Sequence, residues 1–153
     1  MDVLTREQRR RNMRAIRARD TAPELLVRSL VHRMGYRFRL HCRQLPGSPD
    51  LVLRSRGAVI FVHGCFWHMH ACRFGRVRPA THASFWDKKR SANVVRDRRV
   101  VRSLRRARWR VFTVWECQTR HVDELQEKLR QFLDRPAVLT VPRRKRGIES
   151  DER

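Results

Sequence analysis

The segment FVHGCFWHMHAC, which spans Phe61–Cys72, contains two cysteines, three histidines and an adjacent Phe–Trp pair. Its residues Cys65, His70 and Cys72 form a C-x4-H-x-C pattern, and Cys117 follows another apolar run further along the chain. Thiolates together with an imidazole are typical donors of closed, tetrahedral structural zinc sites. The pattern predicts one structural zinc ion held by these four residues. The alternative is a group of buried free cysteines with surface histidines.

His63 and His68 remain once the four candidate ligands are assigned. Both lie within a few residues of the predicted metal loop, and His63 follows a predicted buried strand, where catalytic groups often lie. A lone histidine is more often structural than catalytic, so the residue types alone leave both interpretations open. Cys42 is remote from the cluster in the sequence, and we interpret it as a core or surface thiol.

The chain is strongly basic. It has 153 residues with 37 Lys and Arg against 15 Asp and Glu, a net charge of +22 and a pI near 11.8. Charge on this scale favours a polyanionic partner, and nucleic acid is favoured over an anionic membrane surface. Nearly all of the positive charge is arginine, which suits bidentate recognition of phosphate and guanine, although an arginine-biased genome would produce the same ratio.

The N-terminal sequence MDVLTREQRRRN is polar and lacks the apolar segment of a signal peptide. No apolar run approaches the ~20 residues that a membrane span requires. We therefore expect a soluble cytoplasmic protein without a membrane partner. In that compartment thiols stay reduced, which favours metal ligands or free thiols over disulfides.

Local signals predict the order of helices and strands. A capping box at Thr5–Gln8 predicts a first, basic helix over residues 5–19, and a second box at Thr21–Glu24 begins a helix that ends near Gly35. Alternation and helical periodicity predict the other elements, which are strands over residues 36–41, 51–53, 58–62 and 109–115 and helices over residues 85–107 and 121–133. This order predicts a mixed central sheet flanked by helices, in an α/β or α+β fold.

The length fits one domain. We assign residues 1–135 to that domain, including the basic first helix. Residues 136–153 lack periodicity and end in PRRKRGIESDER, which predicts a flexible basic C-terminal tail.

With these motifs in order, the chain resembles the very-short-patch-repair (Vsr) DNA mismatch endonucleases over roughly residues 5–133. The resemblance is carried by NMRAIRARDTAPE (12–24), LPGSPDLV (45–52), VIFVHGCFWHMHAC (59–72), FWDKK (85–89), NVVRDRR (93–99) and WRVFTVWEC (109–117). It implies a fold similar to that of type II restriction endonucleases. It also implies nicking of the thymine-containing strand at T·G mismatches left by deamination of 5-methylcytosine.

The same resemblance implies a magnesium ion bound by the Asp50 carboxylate and by the main-chain carbonyl of Val62. Family members commonly carry threonine where this chain has Val62, a departure that matters only if the hydroxyl takes part in the chemistry. The expected base for the attacking water is His68, and His63 assists at the phosphate. Glu24 matches a family acid that would orient His68 or the water, and its capping role at the second helix is compatible with that function.

Phe66, Trp67 and Trp86 match residues that wedge between base pairs in the family, and Met13 matches a residue that enters from the other groove. Unstacking costs least at a mismatch, so such a wedge is itself a source of selectivity. The implied partners are double-stranded DNA with a T·G mismatch and a MutL-type repair protein. We expect a monomer.

Two other functions remain open from the sequence. One is a zinc-stabilised DNA-binding protein without catalysis, and the other is a nuclease of the same fold with another target. Asp50 argues against the first, because a carboxylate repels phosphate unless a cation lies between them. The residue types do not define the recognised mismatch or sequence context.

Overall fold

The computed structural model describes residues 5–8 and 19–137. Its helices are α1 (Ala22–Arg33), α2 (Ala83–Arg106) and α3 (Val122–Asp134), and its strands are β1 (Arg39–Leu40), β2 (Leu51–Leu53), β3 (Ala58–His63) and β4 (Arg110–Trp115). Short 3-10 helices span Arg54–Arg56 and Glu116–Arg120. The predicted order of elements is confirmed within these ranges.

The four strands in the described ranges form one mixed sheet in the order β1-β2-β3-β4. β1 with β2 and β2 with β3 are antiparallel, whereas β3 and β4 are parallel, with His63 opposite Trp115. A parallel pair needs a long crossover connection, which here contains α2. The predicted mixed sheet flanked by helices is therefore confirmed.

Alternating side chains of the sheet build two apolar layers. Leu51, Leu53, Ala58 and Ile60 pack with residues of α1 and α3, while Val52, Val59 and Phe61 pack with Leu104 of α2 and with Trp109. Because successive residues of a strand point to opposite faces, His63, two residues after Phe61, lies on the α2 face of the sheet. Asp50, two residues before Val52, lies on that face too, and both residues line one cavity there.

The first strand is shorter than the sequence predicted. The prediction covered residues 36–41, but only Arg39–Leu40 pairs with β2. β2 has three residues and is followed directly by a 3-10 helix. A longer β1 would therefore have no further strand edge to pair with. Tyr36 and Phe38 nevertheless pack against the apolar layer next to α1, as alternation requires.

The two helical segments nearest the N-terminus each begin at a threonine that caps them. Thr5 and Gln8 exchange both hydrogen bonds of a capping box, at 2.8 and 3.2 Å. The rest of the predicted first helix, including Met13, lies outside the described residues, as does most of the predicted tail. In α1 the Thr21 hydroxyl accepts a hydrogen bond from the Glu24 N–H and caps the helix.

Helix α2 has 24 residues and carries a polar stripe on its inner face. Trp86, Arg90, Asn93 and Asp97 recur at spacings of four, three and four residues, so they lie on one side of the helix. Each of the four contacts the segment that follows β3. In the described part of the chain, no helix is long and apolar enough to cross a membrane.

Candidate active site and metal centre

A cavity of about 440 Å³ opens where β2 begins, where β3 ends and where α2 passes over them. Ligands commonly bind at the carboxyl ends of parallel strands, because the loops there diverge and leave a crevice. Polar and charged residues line this cavity beside a few apolar ones, and they include Glu24, Asp50, His63, His68, Arg96 and Asp97. The cavity thus brings together all four residues that the resemblance identified as catalytic.

Asp50 is held by the neighbouring strand. Its carboxylate accepts a hydrogen bond of 2.7 Å from the Val62 N–H. Burial raises the pKa of Asp50 to about 6, the nearby charge of Glu24 adds to the increase, and the Val62 hydrogen bond opposes it. A carboxylate whose ionised form is this disfavoured gains more than an exposed one from binding a cation.

Val62 presents its backbone, not its side chain, to Asp50. The side chain packs against the apolar layer beneath α1 and α3. In an extended strand the N–H and C=O of one residue point to the same edge, so the Val62 carbonyl faces the side on which Asp50 accepts the N–H. One carboxylate and one carbonyl are oxygen donors of the kind magnesium prefers, and this pair fits that ion.

His63 and His68 stack in parallel in the cavity, with ring centroids 3.9 Å apart and planes 4° apart. The Nδ1–H of His68 donates to Asp97 Oδ2 at 2.5 Å, which leaves Nε2 as the acceptor of the neutral ring. Burial, reinforced by the charge of His68, lowers the pKa of His63 to about 4, so His63 is neutral near pH 7. The cavity therefore contains one oriented histidine and one neutral histidine.

The donor atoms of His63, His68 and Asp97 lie within 4.8 Å of one another, as metal ligands would. The in-plane lone pairs of stacked imidazoles, however, lie in two parallel planes and so do not converge on one ion. The short bond between His68 and Asp97 is also the geometry of a histidine oriented by a carboxylate. We therefore interpret this group as a proton-handling group and not as a chelating site.

Asp97 was not identified from the sequence. It stands in the arginine-rich run NVVRDRR, 29 residues after His68, where a lone acid resembles an ordinary surface charge. The only sequence signal is its position on the polar stripe of α2, at helical spacing from Trp86, Arg90 and Asn93. That stripe becomes informative only when the helix is known to cover the loop after β3.

Glu24 is 5% exposed and lines the same cavity. Its side chain accepts hydrogen bonds from the Asp20 N–H at 3.0 Å and from Arg28 at 3.3 Å. The second capping box is therefore only half formed, because the Glu24 carboxylate accepts the N–H of Asp20 and not that of the N-cap residue Thr21. Since Asp97 occupies the Nδ1 position of His68, the geometry leaves the attacking water as the group for Glu24 to orient.

His41, also missed from the sequence, lies between the two acids of the cavity. Its Nδ1 is 3.7 Å from Asp50 and its Nε2 is 3.7 Å from Glu24. Arg28 donates to Nε2 at 3.0 Å and pairs with Asp20 at 2.8 Å. Although Asp20, Glu24 and His41 are close enough to hold a metal ion, the guanidinium of Arg28 already supplies the cation among them.

The four predicted zinc ligands are brought together. The donor atoms of Cys65, His70, Cys72 and Cys117 lie within 4.8 Å of one another. The Cys117 N–H donates to the Cys65 sulfur at 3.3 Å, and the Cys117 sulfur is 3.5 Å from His70 Nδ1. Cys42 lies apart from this group, half-buried beside the apolar layer under α2, and is the core or surface thiol that the sequence predicted.

The protonation chemistry of this cluster also fits a metal. Burial raises the pKa of the Cys65 thiol to about 12, and burial raises that of Cys117 as well. Burial acts in the same direction on Cys72, but hydrogen bonding, led by that from His70, lowers its pKa to about 6. A crowded thiol set of this kind becomes fully ionised only when a divalent cation neutralises it, and three thiolates with one imidazole fit zinc.

Trp115 connects the two centres. Its ring stacks on that of His70, with centroids 4.3 Å apart, and meets His63 edge-on at 5.5 Å. The cluster residue and the cavity residue therefore share one aromatic neighbour on β4. A displacement of the cysteine–histidine loop would reach the histidines of the cavity through this ring.

Four aromatic rings, which we call the aromatic cluster, lie beside the cavity: Phe66, Trp67, Phe85 and Trp86. Edge-to-face contacts join them, at 5.1 Å between Phe66 and Trp67, 5.6 Å between Trp67 and Trp86 and 5.3 Å between Phe85 and Trp86. Phe85 is 57% exposed, and the other three are partly exposed. Lys89 lies 5.6 and 5.7 Å from the two tryptophan ring centroids. Such rings offer flat surfaces on which bases can stack.

Comparisons with known proteins agree on one family. Residues 1–74 match the family described as DNA mismatch endonuclease Vsr. The chain is 47% identical to the Type II nicking enzyme V.XorIIP of Xanthomonas oryzae pv. oryzae, over 87% of this chain and 97% of that protein. It is 46% identical to the DNA mismatch endonuclease Vsr of Escherichia coli, over 83% and 81% respectively. The Type II nicking enzyme V.NmeAIP of Neisseria meningitidis is 33% identical, over 86% of this chain and 94% of that protein.

The raised pKa of Asp50 predicts a pH-dependent cost in stability. The folded protein holds this proton up to a pH of about 6, whereas the ordinary value is 3.8, so stability falls as the pH rises through this interval. Asn in place of Asp50 can still accept the Val62 hydrogen bond but carries no charge. We expect Asp50→Asn to raise the free energy of unfolding by about 2 to 3 kcal/mol at pH 8, and to change it little below pH 4.

Thermal or urea unfolding across this pH range, without added divalent metal, measures the difference. No chelator is used, because it would also remove a metal ion held by the cysteine–histidine cluster. Magnesium bound to the ionised Asp50 of the parent would narrow the gap at pH 8, since a ligand stabilises only the state that it binds. If the variant is no more stable than the parent at pH 8, burial does not destabilise the ionised carboxylate of Asp50.

Proposed function

This chain belongs to the Vsr family of DNA mismatch endonucleases, and from that premise we propose that it nicks the thymine-containing strand at T·G mismatches arising from deamination of 5-methylcytosine. It is a DNA endonuclease with a fold like that of type II restriction endonucleases. The observation that carries the proposal is one cavity that contains a buried carboxylate and an oriented histidine beside the aromatic cluster.

The reaction is hydrolysis of a phosphodiester. In it His68 takes the proton of the attacking water at Nε2, because Asp97 holds the proton on Nδ1 and stabilises the imidazolium that forms. Magnesium bound by Asp50 and the Val62 carbonyl would neutralise the charge that develops on the phosphate. The Val62 side chain points into the apolar layer, which supports a role for its carbonyl alone.

The two remaining cavity residues act on substrate and water. His63 is neutral at physiological pH, so it offers one N–H donor to a phosphate oxygen. Glu24 orients the attacking water, and its salt bridge with Arg28 keeps that carboxylate in place. Both roles depend on positions fixed by surrounding contacts and not on solvent-exposed side chains.

Recognition in this proposal is by insertion. Phe66, Trp67 and Trp86 enter the base stack at the mismatch, and Met13 enters from the other groove. The partly exposed, mutually packed rings support this role, because they can leave one another for a base without opening the core. The arginine excess supplies phosphate contacts, and the chain acts on duplex DNA as a monomer.

We assign zinc to the cysteine–histidine cluster as a structural ion, because three thiolates and an imidazole leave no coordination position open for a water. The family also implies a MutL-type repair partner and action in the bacterial cytoplasm on nucleoid DNA. The relatives named Type II nicking enzymes make the sequence context of the nick the property to measure first.

A nicking assay tests the function directly. Duplexes with T·G, with each other mismatch and with paired T·A at the same place are incubated with the protein and magnesium. We expect nicking on the thymine strand of the T·G duplex, and Asp50→Ala should lower its single-turnover rate by roughly three decades or more while mismatch binding persists. Asp123→Ala, an exposed acid on α3, is the control. Cutting of paired DNA at a defined sequence would instead identify a nicking enzyme with another target.

The pair of His68 and Asp97 predicts graded losses. His68→Ala should lower the single-turnover rate by roughly two to four decades, the usual contribution of a positioned base. Asp97→Asn keeps the shape but loses the charge that fixes the tautomer, and should cost about 10- to 100-fold. His32→Ala on the exposed face of α1 is the control. If His63→Ala is inactive while His68→Ala is not, His63 is the base.

Metal analysis tests the zinc assignment. The parent should contain one zinc per chain, and Cys117→Ala should lose it and lower the thermal midpoint by roughly 10 °C or more, because ligand loss removes folding free energy. Cys42→Ala removes a half-buried thiol outside the cluster and should keep the zinc. Folded parent protein without zinc would refute the assignment.

A further inference from the structure

Arg90 is the buried charge that the proposed chemistry does not use. In the described part of the chain the buried charged side chains are Glu24 and Arg90, which is 2% exposed. Glu24 lines the cavity. Arg90 does not line it, and its guanidinium instead lies over the ring of Phe66 in the aromatic cluster. An arginine in so basic a chain would ordinarily be assigned to phosphate, but DNA cannot reach this one.

The guanidinium of Arg90 is bonded entirely to backbone carbonyls. Nε donates to Phe66 O at 2.6 Å, Nη1 donates to Val77 O at 3.0 Å, and Nη2 donates to Gly75 O. Among the described residues, no carboxylate lies within ion-pair distance of it. A buried charge is costly unless it is paired or fully hydrogen-bonded, so these carbonyls are what makes the position tolerable.

The three carbonyls belong to the two ends of one loop. Phe66 directly follows the metal ligand Cys65, and residues 75–77 follow the last ligand of that loop, Cys72. The planar guanidinium presents donors in a fixed fork, which a lysine ammonium cannot reproduce. Arg90 therefore ties both ends of the loop to the rigid helix α2.

Arg90 also contacts the side chain of Phe66. Its guanidinium carbon lies 4.3 Å from the centroid of the Phe66 ring, a cation–π contact. The same arginine thus holds Phe66 by its carbonyl and by one face of its ring. That ring also makes an edge-to-face contact with Trp67, so its orientation is set by two neighbours.

Successive residues of the loop are held by successive residues of the α2 stripe. Arg90 bonds the carbonyl of Phe66, Asn93 bonds the carbonyl of Trp67 at 3.0 Å, and Asp97 bonds the ring of His68. Arg90 therefore holds the residue whose ring is proposed to insert, and Asp97 holds the histidine proposed to accept the proton. Removing the Arg90 guanidinium should affect recognition and leave the contact between Asp97 and His68 in place.

We propose that Arg90 is a positioning residue that sets the orientation of Phe66, and with it the fit of the aromatic cluster to an unstacked base step. Its effect is on discrimination between mismatched and paired DNA, and not on hydrolysis of the phosphodiester. This inference rests on the proposed function, because it takes insertion of the aromatic cluster as the means of recognition.

The main test compares Arg90→Met with Arg98→Met. Methionine keeps much of the arginine stem and removes the guanidinium, and Arg98 is an exposed arginine on the outer face of the same helix. Zinc content is measured first for each variant. The ratio of dissociation constants for T·A and T·G duplexes is then measured, together with the fluorescence of 2-aminopurine placed beside the mismatch, which reports unstacking.

We expect Arg90→Met to lower the discrimination ratio roughly tenfold, equivalent to about 1.4 kcal/mol, and to lose most of the 2-aminopurine signal. Arg98→Met should change neither. On a T·G duplex whose neighbouring base is replaced by an abasic residue, the step is already unstacked, and Arg90→Met should nick within about threefold of the parent. This recovery on one substrate separates a positioning role from a general structural one.

Unchanged discrimination and fluorescence in Arg90→Met would overturn the inference. Equal losses on the intact and abasic duplexes would overturn it as well, because Arg90 would then act on the whole loop. Trp67→Ala in the same assays tests the proposed function itself. If Trp67→Ala discriminates as well as the parent, insertion is wrong; if it fails while Arg90→Met discriminates normally, only the inference about Arg90 is wrong.

If Arg90→Met does not fold, a double-mutant cycle replaces it. Arg90→Lys keeps the charge but not the fork, and Phe66→Leu removes the ring that the guanidinium covers. If Arg90 acts through Phe66, the losses in discrimination should be non-additive, with the second substitution costing little once the first is present. Additive losses would show that Arg90 does not act through Phe66.

Discussion

The parallel pairing of β3 with β4 is the constraint on which the rest of the structure depends. It sets His63 opposite Trp115, so the segments that leave the two strands begin side by side. Three cluster ligands follow β3 and Cys117 follows β4, and this register brings the fourth donor to the other three. Trp115 then contacts both His70 of the cluster and His63 of the cavity, so the two groups share one aromatic support.

A parallel pair also requires a long crossover, and the chain uses that crossover as a rigid support. Helix α2 returns across the sheet with its polar stripe against the loop after β3, so that Arg90, Asn93 and Asp97 each hold a different loop residue. A helix fixes the spacing of these contacts far better than a second loop would. The same element therefore orients the aromatic rings at one end and the ring of His68 at the other.

The positive net charge of the chain and the acidic residues of the cavity have different roles. A net charge of +22 draws a polyanion to the surface, yet Glu24, Asp50 and Asp97, three of the few acids, line one cavity. Phosphate enters such a cavity only with a cation between it and the carboxylates. The raised pKa of Asp50 expresses the same requirement, since burial destabilises its ionised form until a cation is bound. Burial and charge together thus favour a cation beside these carboxylates.

Local chemistry was enough to predict most elements, the cysteine–histidine set and the two candidate histidines, whereas Asp50, Val62 and Glu24 were identified by the resemblance to the Vsr family. Caps and periodicity act between near neighbours, so α1, β2 and β3 were recognisable in the sequence. The cysteine–histidine set was recognisable from its ligand types, although Cys117 follows Cys72 by 45 residues. Asp97, His41 and the buried role of Arg90 were not, because their partners are 13 to 29 residues away. Whether such side chains meet depends on the rotation of α2 about its axis and on the β3–β4 register. Those quantities are set by packing of the whole sheet, and for that reason only the tertiary structure decided which arginine is buried and which acid orients His68.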